Sequence, residues 1–323
     1  PNERHRLTYS WNPKLRHFMT EPYRGVFPVV PTTFTENGDL DIDSQRRVLD
    51  CMIDQGSDGI CILANYSEQF LLSDDERATL AKVCLSHIDG RVPVIVTCSH
   101  FSTQIAVNRA RDAAQRGAAM VMLMPPYHGT SLQASEQGIC DQFARVSDAI
   151  GIPIMVQDAP LSGVTLSVPL LVKLATEIEQ VRYFKIETAM TADKLRALIA
   201  AGGDAIEGPF DGEEAITLMA DLNAGATGTM PSALMPDLLK PLVEAHRAGK
   251  MADAAKQYAN LLPLINFENR QCGLRACKTV FFEGGVIASD HVRHPMPSLA
   301  LETRAQLLEL ATQLDPIALR WGH

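Results

Sequence analysis

The sequence has no run of 18 apolar residues, no CxxC pair and no Cys/His cluster at zinc spacing. The first absence leaves nothing to span a membrane as a helix, and no membrane partner is expected. The other two leave seven cysteines (51, 61, 84, 98, 140, 272 and 277) without a redox pair or a metal to explain them. Several lie inside apolar runs, such as Cys61 in GICILA and Cys98 in VPVIVTC, so they read as small buried hydrophobes in a reducing cytoplasm. Positive charge is also scarce: 29 Lys and Arg stand against 38 Asp and Glu, for a net charge of −9. That balance argues against nucleic acid or an anionic surface as the main partner. A small anion is not excluded, because a local site can oppose the global charge. Residues 1–18 lack an apolar h-region and do not read as a secretory signal; they read as an added or disordered extension, with Met19 opening the patterned chain.

What is present is alternation. Short apolar runs occur at 25–34, 59–64, 92–98, 118–125, 152–159, 182–187, 204–208 and 225–231, with helical patterns between them. Most lack polar–apolar alternation, as expected for parallel strands covered on both faces. Ser73 followed by Glu76 resembles a capping box at a helix start. The pattern predicts an α/β fold, a (β/α)8 TIM barrel over 19–233, with a C-terminal helical extension over 234–323. A doubly wound open sheet would carry a glycine-rich phosphate turn after its first strand, and PVVPTTFTENGD is not one.

Active sites of such barrels lie at the C-terminal ends of the strands. The polar residues expected there include Asn65, Tyr66, Ser67, His100, Tyr127, His128, Asp158, Lys185, Glu187 and Ser232. Lys185, between Phe184 and Ile186, should point into the barrel, whereas the other lysines fall on the N-terminal extension or on predicted helices, where a solvated ammonium is ordinary. An interior lysine either pairs with an acid, here Glu187 or Asp158, or lowers its pKa and attacks a ketone to form a Schiff base. Position alone leaves both readings open. Tyr127 follows two prolines that fix the backbone, so its phenol could relay protons. His100 and His128 read as loop residues, since no HxH or HExxH spacing accompanies them and no metal is expected.

The segments GVFPVVPTTFTENGDLD, PPYH, VQDAP, YFKIET and GATGTMPS occur in this order across the chain. Together they resemble the dihydrodipicolinate synthase and N-acetylneuraminate lyase superfamily from about Tyr23 to Leu319. The resemblance implies that Lys185 is the Schiff-base nucleophile and Tyr127 the catalytic phenol. It also implies that the loop Asn65–Tyr66–Ser67 holds an α-keto acid carboxylate, largely through backbone N–H groups. No cofactor is implied, and the assembly would be a homotetramer.

Three departures narrow the substrate. Asn65 replaces the first hydroxyl of the synthase loop, so the proton route must run elsewhere, through Ser67, Ser232, Thr188 or water. After VQDAP stands Leu161-Ser162-Gly163, without the arginine that would grip a second carboxylate. The stretch GPFDGEE replaces the polyol-binding region of the lyases, and Pro209 offers little polar reach. A short 2-keto-3-deoxy sugar acid fits best. Within that superfamily, the resemblance carried by the particular motif combination implies dehydration of 2-dehydro-3-deoxy-L-arabonate to 2,5-dioxopentanoate. Glu187, Asp158, Ser232 or water would protonate the departing hydroxyl. Retro-aldol cleavage to pyruvate and an aldehyde is the alternative, and a non-catalytic keto-acid sensor a further one.

Overall fold

The computed structural model describes residues 21–129 and 131–323. The segment 1–18, expected to stand apart from the fold, lies outside the described residues.

Eight parallel strands form the sheet: β1 (Gly25–Val26), β2 (Ile60–Ile62), β3 (Val94–Thr97), β4 (Met120–Leu123), β5 (Ile154–Asp158), β6 (Val181–Ile186), β7 (Pro209–Asp211) and β8 (Gly228–Thr229). From β2 to β8 neighbours pair in sequence order, and β8 pairs with β1. Val29, just past β1, closes the ring by bridging both Cys61 and Ser232. The expected barrel is therefore present. Helices α1 (Ile42–Asp54), α2 (Asp74–Ile88), α3 (Thr103–Gln115), α4 (Glu136–Ser147), α5 (Val168–Glu177), α6 (Thr191–Gly202), α7 (Leu218–Asn223) and α8 (Pro236–Arg247) follow the eight strands in turn. The capping box at Ser73 is formed: its hydroxyl accepts from the Glu76 N–H at 3.2 Å, and the Glu76 carboxylate accepts from the Ser73 N–H at 2.9 Å.

Alternation along each strand separates two cores. Phe27, Cys61, Ile95, Met120, Met122, Met155, Tyr183, Phe210 and Met230 fill the barrel interior. Val121, Val156, Phe184 and Ile186 point outward into the layer shared with the helices. Methionines dominate the interior, and their flexible thioethers fill the taper without a fixed branched shape. The same parity sends Gln157 and Lys185 inward and Asp158 outward, because Gln157 pairs with Lys185 across β5 and β6.

The seventh strand differs from expectation. It is Pro209–Asp211, while Gly203–Ala205 form a 3-10 turn closed by the Ile206 N–H on the Gly203 carbonyl at 3.0 Å. The turn takes up the start of DAIEG, so the register falls on Phe210, which pairs with Lys185 and packs in the barrel interior. After β4 the chain makes a small antiparallel hairpin pairing Tyr127 with Gln133 and His128 with Leu132. After α8 come α9 (Met251–Phe267), a π-helical turn (Glu268–Cys272), α10 (Arg275–Glu283) and α11 (Leu301–Leu314).

Lysine on a helix is not always solvated. Lys278 of α10 is fully buried, ion-paired with the buried Glu68, and donates to the His291 carbonyl at 3.0 Å. Its ammonium also lies 4.5 Å from the centre of the Phe34 ring. This corrects the expectation that every lysine but Lys185 needs no explanation. The pair ties α10 to the loop after β2.

Candidate active site

Lys185 projects from β6 into the barrel above Tyr183 and is 4% exposed. Its Nζ lies 2.5 Å from Oε1 of Glu187, and that oxygen also accepts from Gln157 Nε2 at 3.1 Å. Burial alone pulls the Lys185 pKa down, but the carboxylates of Glu187 and Glu214 outweigh it and the net direction is up. The carboxylates around it thus favour the charged form of the amine. Of the two readings left by the sequence, the ion pair is the one seen: Lys185 pairs with Glu187, and its pKa is raised rather than lowered.

Beyond β7 the chain passes Gly212 and enters Glu213, Glu214 and Ala215, all three with left-handed backbones at φ 51°, 56° and 68°. Three consecutive non-glycine residues in that region are held only where surrounding contacts over-determine them. Those contacts are visible. Asn269 Nδ2 donates to the Glu213 carbonyl and to Glu214 Oε2, each at 3.1 Å, and Arg270 pairs with Glu213 at 3.1 Å. The Tyr66 hydroxyl hydrogen-bonds Glu214. Burial pushes the Glu214 carboxyl up to about 7 against the pull of Lys185, with Glu187 adding to the rise. A group that titrates near neutrality beside a buried amine is suited to proton transfer. GPFDGEE therefore has the polar reach that Pro209 hid: the strained turn after Pro209 swings Glu214 back toward the lysine. Left-handed glutamates carry no sequence signature, and only the acid pair in PFDGEE hinted at it.

A third carboxyl lies close by. Glu268 of the π-helical turn is 1% exposed and hydrogen-bonds Ser232; burial pushes its pKa up to about 8, and Glu214 adds to the rise. No motif or spacing points to this position, 83 residues beyond Lys185.

The remaining candidates separate by role. Ser67 donates to the Val30 carbonyl at 2.5 Å and accepts from the Ala64 N–H at 3.1 Å, so its hydroxyl locks the β2 loop. The Ser67 N–H is committed to the Ala64 carbonyl at 3.0 Å. Among the described residues the N–H groups of Asn65 and Tyr66, which open that turn, have no backbone acceptor. Asn65 Nδ2 contacts Met124 Sδ at 3.8 Å, and its Oδ1 is buried without a partner among the described residues. The Thr188 hydroxyl is likewise buried and unpartnered there. Tyr127 is half-buried at the head of the hairpin, and desolvation raises its pKa. Asp158 stands apart: it faces away from the barrel, paired with Lys194 of α6 and accepting from the Leu166 N–H at 3.4 Å. His100 accepts from the Ser102 N–H at 2.9 Å, and His128 packs near Phe101.

A family model described as the dihydrodipicolinate synthetase family matches residues 22–314. The chain belongs to that family. As a member, it is 60% identical over 304 residues to L-2-keto-3-deoxyarabonate dehydratase of Azospirillum brasilense, covering 94% of this chain and 98% of that protein. It is 29% identical to 4-hydroxy-tetrahydrodipicolinate synthase 2 of Streptomyces coelicolor, covering 88% and 93%. Among solved structures, this dihydrodipicolinate synthetase family member superposes on YagE, a prophage protein of E. coli K12 solved in complex with pyruvate. The TM-score is 0.83 at 26% identity, covering 91% of this chain and 99% of that one. The synthase from Rhodopseudomonas palustris gives a TM-score of 0.82 at 26% identity, covering 90% and 97%.

Proposed function

We propose that the chain is a Schiff-base hydro-lyase that dehydrates 2-dehydro-3-deoxy-L-arabonate to 2,5-dioxopentanoate, in oxidative pentose breakdown. The observation that carries this reading is the buried lysine with carboxyls from two different loops: Glu187 contacts Lys185 at 2.5 Å, and Glu214 lies within its field. The 60% identity to a protein bearing the dehydratase name supports it.

The chemistry runs as follows. Glu187 takes a proton from Lys185, the neutral amine attacks the C2 ketone, and Tyr127 relays the amine proton to the carbinolamine oxygen; Glu187 then returns its proton to that hydroxyl, which leaves as water, so the carboxylate is regenerated as the iminium forms. The substrate carboxylate rests against the open N–H groups of Asn65 and Tyr66. The iminium acidifies C3, Glu187 removes a C3 proton, and the enamine expels the C4 hydroxyl, protonated by Glu214. Tautomerisation at C4 and C5 gives the aldehyde, and hydrolysis frees Lys185. The route is covalent throughout and calls for no cofactor.

Retro-aldol cleavage would use the same imine but break C3–C4. Glu214 favours dehydration, because loss of hydroxide from C4 needs an acid and cleavage needs a base there. Incubation with 2-dehydro-3-deoxy-L-arabonate followed by product analysis tests the choice: 2,5-dioxopentanoate is expected, and pyruvate with glycolaldehyde would overturn it. A sensor would leave the substrate unchanged.

We place the protein in the cytoplasm as a homotetramer. All seven cysteines are free and buried, which suits a reducing compartment. No helix among the described residues is long and apolar enough to cross a membrane. Phe70, Phe101, Leu132, Leu161 and Met190 expose apolar surface on loops at the mouth of the barrel, and self-association would cover it. Native mass spectrometry should read four copies.

A further inference from the structure

Dehydration of a 2-keto-3-deoxy acid makes an unusual demand on its acid. The carboxyl that gives a proton to the C4 hydroxyl leaves a conjugated iminium, whose next step is loss of a proton from C5. A group that has just given a proton must therefore take one back in the same cavity. One carboxyl alone in a dry site would be left charged between the two steps.

The structure holds more than one. Glu214 faces Lys185 and Glu187 from β6, Tyr66 from the loop after β2, Glu213 from its own turn, and Glu268 from the π-helical turn. Glu268 is buried, bonded to Ser232, and its Oε1 has no partner among the described residues. Its neighbour Asn269 is the residue that grips Glu214 Oε2 and the Glu213 carbonyl together. A π-helical turn inserts one residue into the helical ladder and re-aims the side chains that follow, and such turns occur frequently at functional sites. Here it sets Glu268 and Asn269, adjacent in sequence, on two parts of one carboxyl network.

We propose that the π-helical turn Glu268–Cys272 completes the catalytic site, with Asn269 as the positioning residue for Glu214 and the Glu268–Ser232 pair as the relay that shares its proton. In the first step Glu214, as the acid, gives its proton to the C4 oxygen. The C4–O bond breaks with its electron pair leaving on water, while the enamine pair forms C3=C4. In the second step the carboxylate takes the C5 proton, and the C5–H electrons enter the conjugated system. Glu268 and Ser232 hold the negative charge in between by hydrogen bonding, so acid and base are restored together. This inference rests on the dehydratase reading above.

The test uses the full-length protein with Asn269→Ala and Glu268→Gln. Wild type is first trapped with pyruvate and borohydride; no adduct on Lys185 would remove the Schiff-base reading itself. Both variants should keep that adduct and the deuterium exchange of the pyruvate methyl group. Their kcat for dehydration should fall at least tenfold. Asn269→Ala removes a donor to the ionised form of Glu214, so the alkaline limb of kcat should move to higher pH. Glu268, pushed up to about 8, is still protonated as Glu214 ionises, and Glu268→Gln removes that shared proton, so the limb should again move to higher pH. Unchanged kcat, or lowered kcat with both limbs unmoved, would overturn the proposal. If Asn269→Ala does not fold, Glu268→Gln decides alone on the same two readouts.

Discussion

Gly212 lies against the shaft of Lys185: a Cβ there would come 3.0 Å from Lys185 Cε and 3.2 Å from Glu187 Cδ, overlapping Glu187 Cγ as well. The φ of Gly212 is −125°, so this glycine is required by close approach rather than by backbone conformation. Gly212→Ala should push the amine and its carboxylate off their positions. Displacements near 1 Å cost on the order of 100-fold in rate. We expect kcat to fall by about that factor, with a slower borohydride trapping rate and a melting temperature close to wild type. Full activity in the alanine variant would refute the tight packing of the site.

Glu214 should reveal itself in the pH profile. Its carboxyl titrates at about 7, and the acid form is the one that protonates the C4 hydroxyl. That form is present below about 7 and is lost as pH rises, so kcat/KM should fall on the alkaline side from there. Glu214→Gln should retain the imine and methyl exchange while losing dehydration by roughly 100-fold or more. An unchanged alkaline limb in Glu214→Gln would assign the acid elsewhere.

The Glu68–Lys278 pair predicts strong coupling between loop and helix. Burial raises the Glu68 pKa and lowers that of Lys278, and each partner opposes the shift of the other. Removing one member strands a charge, which costs about 3–5 kcal/mol, whereas replacing both by apolar residues is often near neutral. In urea melts, Lys278→Met should be strongly destabilising and Glu68→Leu with Lys278→Met less so. Additive single effects would contradict the pairing.

At the end of β7, on the side facing α7, Asp211 and Asp221 form a buried acid pair, capped by Thr229 at 2.5 Å and Thr217 at 2.6 Å. Burial and the neighbouring Asp221 drive the Asp211 pKa well up. Its folded value exceeds its unfolded value, so folding takes up a proton. Stability from this group is full below the unfolded carboxyl pKa and is lost as pH rises toward the folded one. Asp221→Asn removes the like charge and keeps an acceptor for Thr217. The melting temperature of the variant should therefore decline less between pH 5 and 8 than that of wild type, by about 2 °C or more. A parallel decline in both would show that the pair is not proton-linked.

The sequence by itself determined the eight-fold alternation, the cap at Ser73 and the inward direction of Lys185, because these depend on local periodicity and on side chains within a few residues. Inward Lys185 also carries Glu187 inward by the same two-residue step. Relations between strands were beyond it. The choice of Gln157 over Asp158 as the group beside Lys185 depends on the register of β5 against β6, which alternation within one strand does not fix. Asp158 looked as available as its neighbour until α6 supplied Lys194 on the outer face. The left-handed run at Glu213–Ala215 exists only because Asn269 and Arg270, more than 50 positions away, hold it. No local preference would place glutamates there. Lys185 thus follows from the chain's own pattern, while its carboxyl partners Glu214 and Glu268 are brought in by long-range hydrogen bonds and burial, which only the closed barrel and its C-terminal helices supply.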